Sequence, residues 1–203
     1  MNEAKVRLST KEMELLTNAD WILTKNGLMQ KTRSLLEDLQ ALQQEFLSAG
    51  SQLIPPVAIA VSPKISKGEN YGGLPYLILD HPRYFDKENV FAIRTMFWWG
   101  NFFSATLHLS GSFKNDFSAA IISHYPFLAT NDFYACVHDE EWEHHFENNN
   151  YKPVSEMKAG EFEKLVRDKS FIKLAQKIPL EKWEDARELL LKSFRELITL
   201  LRD

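Results

Sequence analysis

The sequence predicts an α+β fold: a mainly antiparallel, twisted sheet built around one long hairpin and packed by N-terminal, central and C-terminal helices. Three observations predict it. Val90 to Ser110, VFAIRTMFWWGNFFSATLHLS, is a pair of apolar runs rich in β-branched and aromatic residues that meet at Gly100-Asn101, a pair that tolerates the positive φ of a tight turn. Helical patterns fall in groups around a meander of strand-like runs instead of alternating with them, which argues against a parallel βαβ sheet. The 203 residues carry no repeat and no low-complexity linker, so they suit one domain with ample length for a core. That domain spans 1–203, with helices over 1–50, the sheet and one inserted helix over 51–178, and a closing helix over 179–203.

The hairpin sets two faces. With a two-residue loop, Trp99 faces Phe102, Phe97 faces Ser104, Thr95 faces Thr106 and Ile93 faces His108, all on one side. The other side holds Trp98, Phe103, Met96, Ala105, Arg94, Leu107, Ala92 and Leu109, and its apolar character marks it for helix cover. A one-residue bulge at the turn would exchange the faces of one strand.

The other elements follow in order. Ser9 and Glu12 have capping-box spacing and open a short helix through Leu15 and Leu16. Asn26-Gly27 breaks the pattern. A longer helix then runs from about Leu28 to Ala49, with Leu28, Leu35, Leu39, Leu42 and Phe46 on one stripe and Gly50 closing it. Pro55-Pro56 returns the chain to extended geometry, Val57 to Val61 is a short strand, and Ser62 to Gly73 is a loop. Leu74 to Leu79 is a strand ended by Asp80-His81-Pro82. Beyond the hairpin, Ser112 caps a helix carrying Phe113, Phe117, Ala120, Ile121 and His124 on one face, and Pro126 stops it. Asp132 to Val137 is a strand, and His138 to Asn150 is a polar surface segment. A short helix near Glu161 to Asp168 leads into Ser170 to Ile178, whose alternation of Ile172, Leu174 and Ile178 against Lys173 and Lys177 suits an edge strand. Pro179 opens the final helix, with Trp183, Leu190, Phe194, Leu197 and Leu201 as its buried stripe.

GGLPYLIL, then the aromatic hairpin and a helix before DFYACV, then KSFIKLAQKIPL and a helix closing on FRELITLL: this succession resembles the YktB-like family of uncharacterised bacterial proteins and related α+β domains. The resemblance covers most of the chain after Ser51 and lies in hydrophobic and turn residues. It implies an antiparallel sheet backed by helices and carries over no catalytic residue.

Composition excludes several functions. The formal net charge of −4 and the absence of a basic stripe disfavour nucleic acid, whose recognition leans on Lys and Arg contacts to phosphate. No apolar run reaches the length of a membrane span, and MNEAKVRLST is too polar for a signal peptide. The single Cys136 rules out an intrachain disulfide. The expectation is a cytoplasmic protein with no membrane partner, and no motif implies a cofactor.

Chemistry-bearing residues are few. His138, Asp139, Glu140, Glu141, Glu143, His144 and His145 include every type a metal site uses, with His138, Asp139 and His144 the weak candidates. The spacing matches no helical zinc motif, and a solvated acidic turn is the plainer reading. Asp80-His81 reads as a turn before Pro82 sooner than as a catalytic pair. Cys136 reads as a core residue, with a Cys136–His138 pair the sharper alternative. Arg94, on an apolar face, requires a partner: a carboxylate or helix carbonyls structurally, an anionic ligand functionally.

The leading expectation is a binding domain that receives a small molecule or another protein on one sheet face, lined by Trp99, Phe97, Thr95, Thr106 and His108 with Tyr76 alongside and Arg94 as an anion holder. An enzyme using His108 or the His138–His145 region, hydrolase-like or metal-dependent, is the second. A homo-oligomer that covers Trp99 or the long helix is the third.

Overall fold

The computed structural model describes residues 6–50 and 53–202; the expected boundary at Ser51, between the first helices and the sheet, lies outside them. Among the described residues, seven antiparallel strands form one sheet in the order β1-β2-β3-β4-β7-β5-β6, so the fold is α+β. The strands are β1 Lys64–Tyr71, β2 Leu74–Phe85, β3 Val90–Trp98, β4 Phe102–Ser110, β5 Tyr134–Cys136, β6 Tyr151–Pro153 and β7 Phe171–Pro179. Among the described residues the helices are α1 Thr10–Thr17, α2 Ala19–Ser48, α3 Pro56–Ala60, α4 Gly111–Ser123, α5 Tyr125–Thr130, α6 Ala159–Asp168 and α7 Ala186–Thr199.

The hairpin at the centre pairs Trp98 with Phe102, not Trp99 with Phe102. Asn101 N–H donates to Trp98 O at 3.1 Å, and Gly100 takes φ +70°, the left-handed geometry that glycine adopts without strain. Trp99 therefore joins Gly100 and Asn101 as a third loop residue. The extra residue turns β3 over relative to β4. Phe97, Thr95, Ile93 and Phe91 now share a face with Phe103, Ala105, Leu107 and Leu109, while Trp98, Met96, Arg94 and Ala92 share the other with Phe102, Ser104, Thr106 and His108. The first of these faces is the core. Leu77 and Leu79 of β2 and Ile172, Leu174 and Ile178 of β7 extend it, and α2, α4 and α7 pack across it.

Several elements differ from the expectation, each for a local reason. α2 runs unbroken through Asn26-Gly27, since an isolated glycine in a 30-residue helix costs only about 1 kcal/mol. Its buried stripe is Met29, Thr32, Leu36, Leu39, Gln43 and Leu47, rotated from the expected one, with Leu28 left in solvent. Val57 to Val61 is not a strand. Pro56 takes the first position of α3, where its missing N–H costs nothing. The expected loop Ser62–Gly73 is largely β1, and the turn to β2 is made by Gly72 and Gly73 at φ +57° and +81°. β2 continues past Asp80 through a bulge before Arg83. Pro126 opens α5 directly after α4. α4 begins at Gly111, where a side chain would strike Glu88 O, and Asn89 Oδ1 accepts from Ser112 N and Oγ at 2.8 and 2.9 Å. β7 is not an edge strand; it lies between β4 and β5.

Candidate functional site

The second face of the sheet carries charge. Cross-strand register sets Asp80 beside Arg94, Arg94 beside Thr106, and His108 beside Lys173. Residues 137–150, which form no helix or strand, run over this face as a strap. Alternation on β7 sends Lys173 under the strap, where it is 2% exposed.

Arg94 meets Asp80 through two bonds, Nε to Oδ1 at 2.7 Å and Nη2 to Oδ2 at 3.0 Å. Such a paired fork satisfies both groups out of water. Its Nη1 faces His144 Nε2 at 3.3 Å. Arginine can only donate, so that nitrogen accepts and His144 is neutral. Burial holds the His144 pKa well below the ordinary value, with the nearby cations Lys173 and Arg94 adding to it. Trp142 of the strap lies 5.8 Å from the Arg94 guanidinium, a cation–π distance.

His108 Nε2 and Glu141 Oε2 stand 2.8 Å apart. Burial lowers the His108 pKa, against the Glu141 hydrogen bond, which raises it. The His108 hydrogen bond in turn holds the Glu141 carboxyl below the usual range. Lys173 Nζ donates to Glu143 O and lies 5.4 Å from the Tyr151 ring centre, and burial brings it down to about 8. Tyr71 fastens the strap from β1. Its hydroxyl donates to Glu143 Oε2 at 2.8 Å and accepts from His144 N and His145 N at 2.7 and 3.0 Å, and burial pushes the phenol up to about 12.

Where the strap passes the hairpin tip, a cleft of about 450 Å³ opens. Trp98, Phe102 and Phe146 wall it, and His145, Glu147 and Lys177 supply its polar groups. Trp98 is fixed by its Nε1–H, which donates to Tyr71 O at 3.0 Å. Phe102 and Phe146 meet edge to face at 5.0 Å. His145 Nδ1 is buried and has no hydrogen-bond partner. A second cleft of about 440 Å³, between the C-terminal ends of α2 and α7, offers Arg202 as its sole ionisable side chain among the lining residues, so it is the poorer candidate.

The expected ligand lining is divided by the hairpin slip. Thr106, His108, Tyr76 and Arg94 lie on the strap-covered face. Thr95 and Phe97 are buried on the core face, and Trp99 packs against that core. These last three therefore do not line one concavity with the others. The metal candidates also part. His138 Nδ1 accepts from Glu140 N at 3.0 Å, Asp139 pairs with Lys169 at 2.9 Å, and His144 turns to Arg94. No three metal-ligating side chains gather among the described residues. Cys136 Sγ faces Asn150 Oδ1 at 3.4 Å and the His138 carbonyl at 3.9 Å, so the pairing with the His138 ring does not form.

Lys173, Tyr71 and Glu141 were not legible as members of one site. The available signal for Lys173 was its position between Ile172 and Leu174, in a strand whose neighbours are apolar on both sides. No family model, curated protein or solved structure matches the chain.

Proposed function

We propose that this chain is a small-molecule-binding domain that holds its ligand in the cleft between the β3–β4 tip and the strap. The supporting observation is the convergence there of three aromatic walls with His145, Lys177 and Glu147. The cleft volume falls in the ordinary range for small ligands, roughly 300–1,000 Å³. The Lys177 ammonium stands 5.6 Å from the Phe146 ring centre and 5.9 Å from that of Tyr134, so its charge is held at the wall by ring faces. A small planar molecule with one anionic group fits these walls: its ring would lie on Phe102, Phe146 and Trp98, and its charge would meet Lys177. Arg94, His108 and Lys173 act from behind, by keeping the strap in register with the sheet.

Calorimetric titration with benzoate and phenyl phosphate tests this, with benzamide as the neutral control. At least one anion is expected to bind more tightly than benzamide and to alter tryptophan emission through Trp98. Lys177→Glu, a surface change, is expected to weaken that binding at least ~10-fold, about 1.4 kcal/mol. Absence of binding by either anion, or binding indifferent to Lys177→Glu, would count against the cleft.

A further inference from the structure

The N-terminal helices leave an apolar surface that the other described residues do not cover. Of twelve exposed large hydrophobic side chains among the described residues, nine lie between Val6 and Leu28. They include Leu15, Leu16, Trp21, Ile22 and Leu23, exposed by 45%, 71%, 47%, 45% and 63%. α1 buries no residue at all, and the first buried residue of α2 is Met29. The start of α2 is tied to β1 by the Lys25–Glu69 pair at 2.7 Å.

An eight-residue helix has too few turns to persist in water without tertiary packing. Its own devices are a capping box, in which Ser9 N–H donates to Glu12 Oε2 at 2.7 Å and Glu12 N–H to Ser9 Oγ at 3.3 Å, and Asn18, which ends α1 and caps α2. Caps contribute about 1 kcal/mol each, less than the nucleation such a helix must offset. The apolar side chains therefore need cover that the described residues do not supply.

Two features identify the cover. First, charges between residues 6 and 28 balance: Arg7, Lys11 and Lys25 against Glu12, Glu14 and Asp20. A balanced surface has no attraction for an anionic membrane or nucleic acid and no net repulsion from its own copy. Second, nine large side chains exposed by 39% to 82% hold an area on the order of the ~800 Å² that one partner contributes to a standard interface. We propose that this chain forms a twofold dimer through the apolar surface of α1 and the first turns of α2. A twofold contact of this kind is self-complementary, so each apolar side chain meets the same surface from the other copy.

Sedimentation velocity on the full chain tests the dimer. Wild-type protein is expected at twice the 23.6 kDa chain mass. The double variant Leu16→Glu, Leu23→Glu puts four like charges into the contact and is expected to weaken dimerisation at least ~100-fold, with an unchanged circular dichroism spectrum from the sheet. Trp142→Glu, an exposed apolar site on the strap and outside α1 and α2, is expected to leave the dimer intact. A wild-type monomer at 100 μM overturns the proposal. So does a dimer that survives the double variant, or one that Trp142→Glu dissociates. A monomer that floats with phosphatidylcholine–phosphatidylglycerol vesicles overturns it in favour of a membrane surface.

Discussion

Arg94 lies under the strap with its side chain 13% exposed and its partner Asp80 at 9%, in surroundings where an unpaired guanidinium is costly. Removing the carboxylate leaves the charge behind. Asp80→Ala is therefore expected to destabilise the fold by about 3–5 kcal/mol, whereas adding Arg94→Met to it should recover most of the loss, since no buried charge remains. Urea denaturation of the two variants checks the difference; equal stabilities would contradict the pairing. The need for a partner could be read from Arg94 itself, an arginine inside an apolar strand. Its partner could not. Asp80 stands fourteen residues earlier before a proline, and reads locally as a turn residue. Only the β2–β3 register, with β2 continuing beyond Asp80, sets the two side by side.

At the scale of elements, the strap is the least regular segment and the most heavily fastened. Three bonds from it converge on the hydroxyl of Tyr71: two backbone N–H groups and the Glu143 carboxylate. Tyr71→Phe keeps the ring packed on Trp98, 5.0 Å away, and removes only the oxygen. Two amides then lose their acceptor, at about 1–3 kcal/mol each if they stay buried. The strap is expected to open locally before the sheet does. Hydrogen exchange at His144 and His145 should accelerate in Tyr71→Phe while β3 and β4 amides stay protected. Unchanged exchange at those two amides would mean that the strap is held elsewhere. The polarity of 138–150 marked this segment as surface chain, and surface chain it is. That it also roofs a charged face has no trace in its own composition, because Tyr71, Lys173 and His108 come from three separate strands.

Across the whole molecule, stability should follow the buried histidines. His81 is 3% exposed, neither of its ring nitrogens has a hydrogen-bond partner, and burial lowers it from 6.5 to about 4. Burial also lowers His108 and His144. Each of these takes up a proton less readily in the folded chain than in the unfolded one. Between about 6.5 and 4 the unfolded state therefore binds more protons, and stability falls as pH falls through that window. The urea midpoint should drop from pH 7.5 to pH 4.5, and His81→Leu should drop less; a flat wild-type profile or identical profiles would refute this. The α+β class, the central hairpin, the C-terminal stripe of Leu190, Phe194 and Leu197, and the burial of Cys136 were all determined by the sequence alone, because periodicity and turn residues act within a few positions of one another. Tertiary structure decided which face of β3 became core, since one additional loop residue, Trp99, reverses a strand without altering its pattern. It also decided the interior place of β7 and the gathering of Arg94, His108, His144 and Lys173 beneath one strap. Those outcomes depend on pairing between segments far apart in the chain, where no local preference acts.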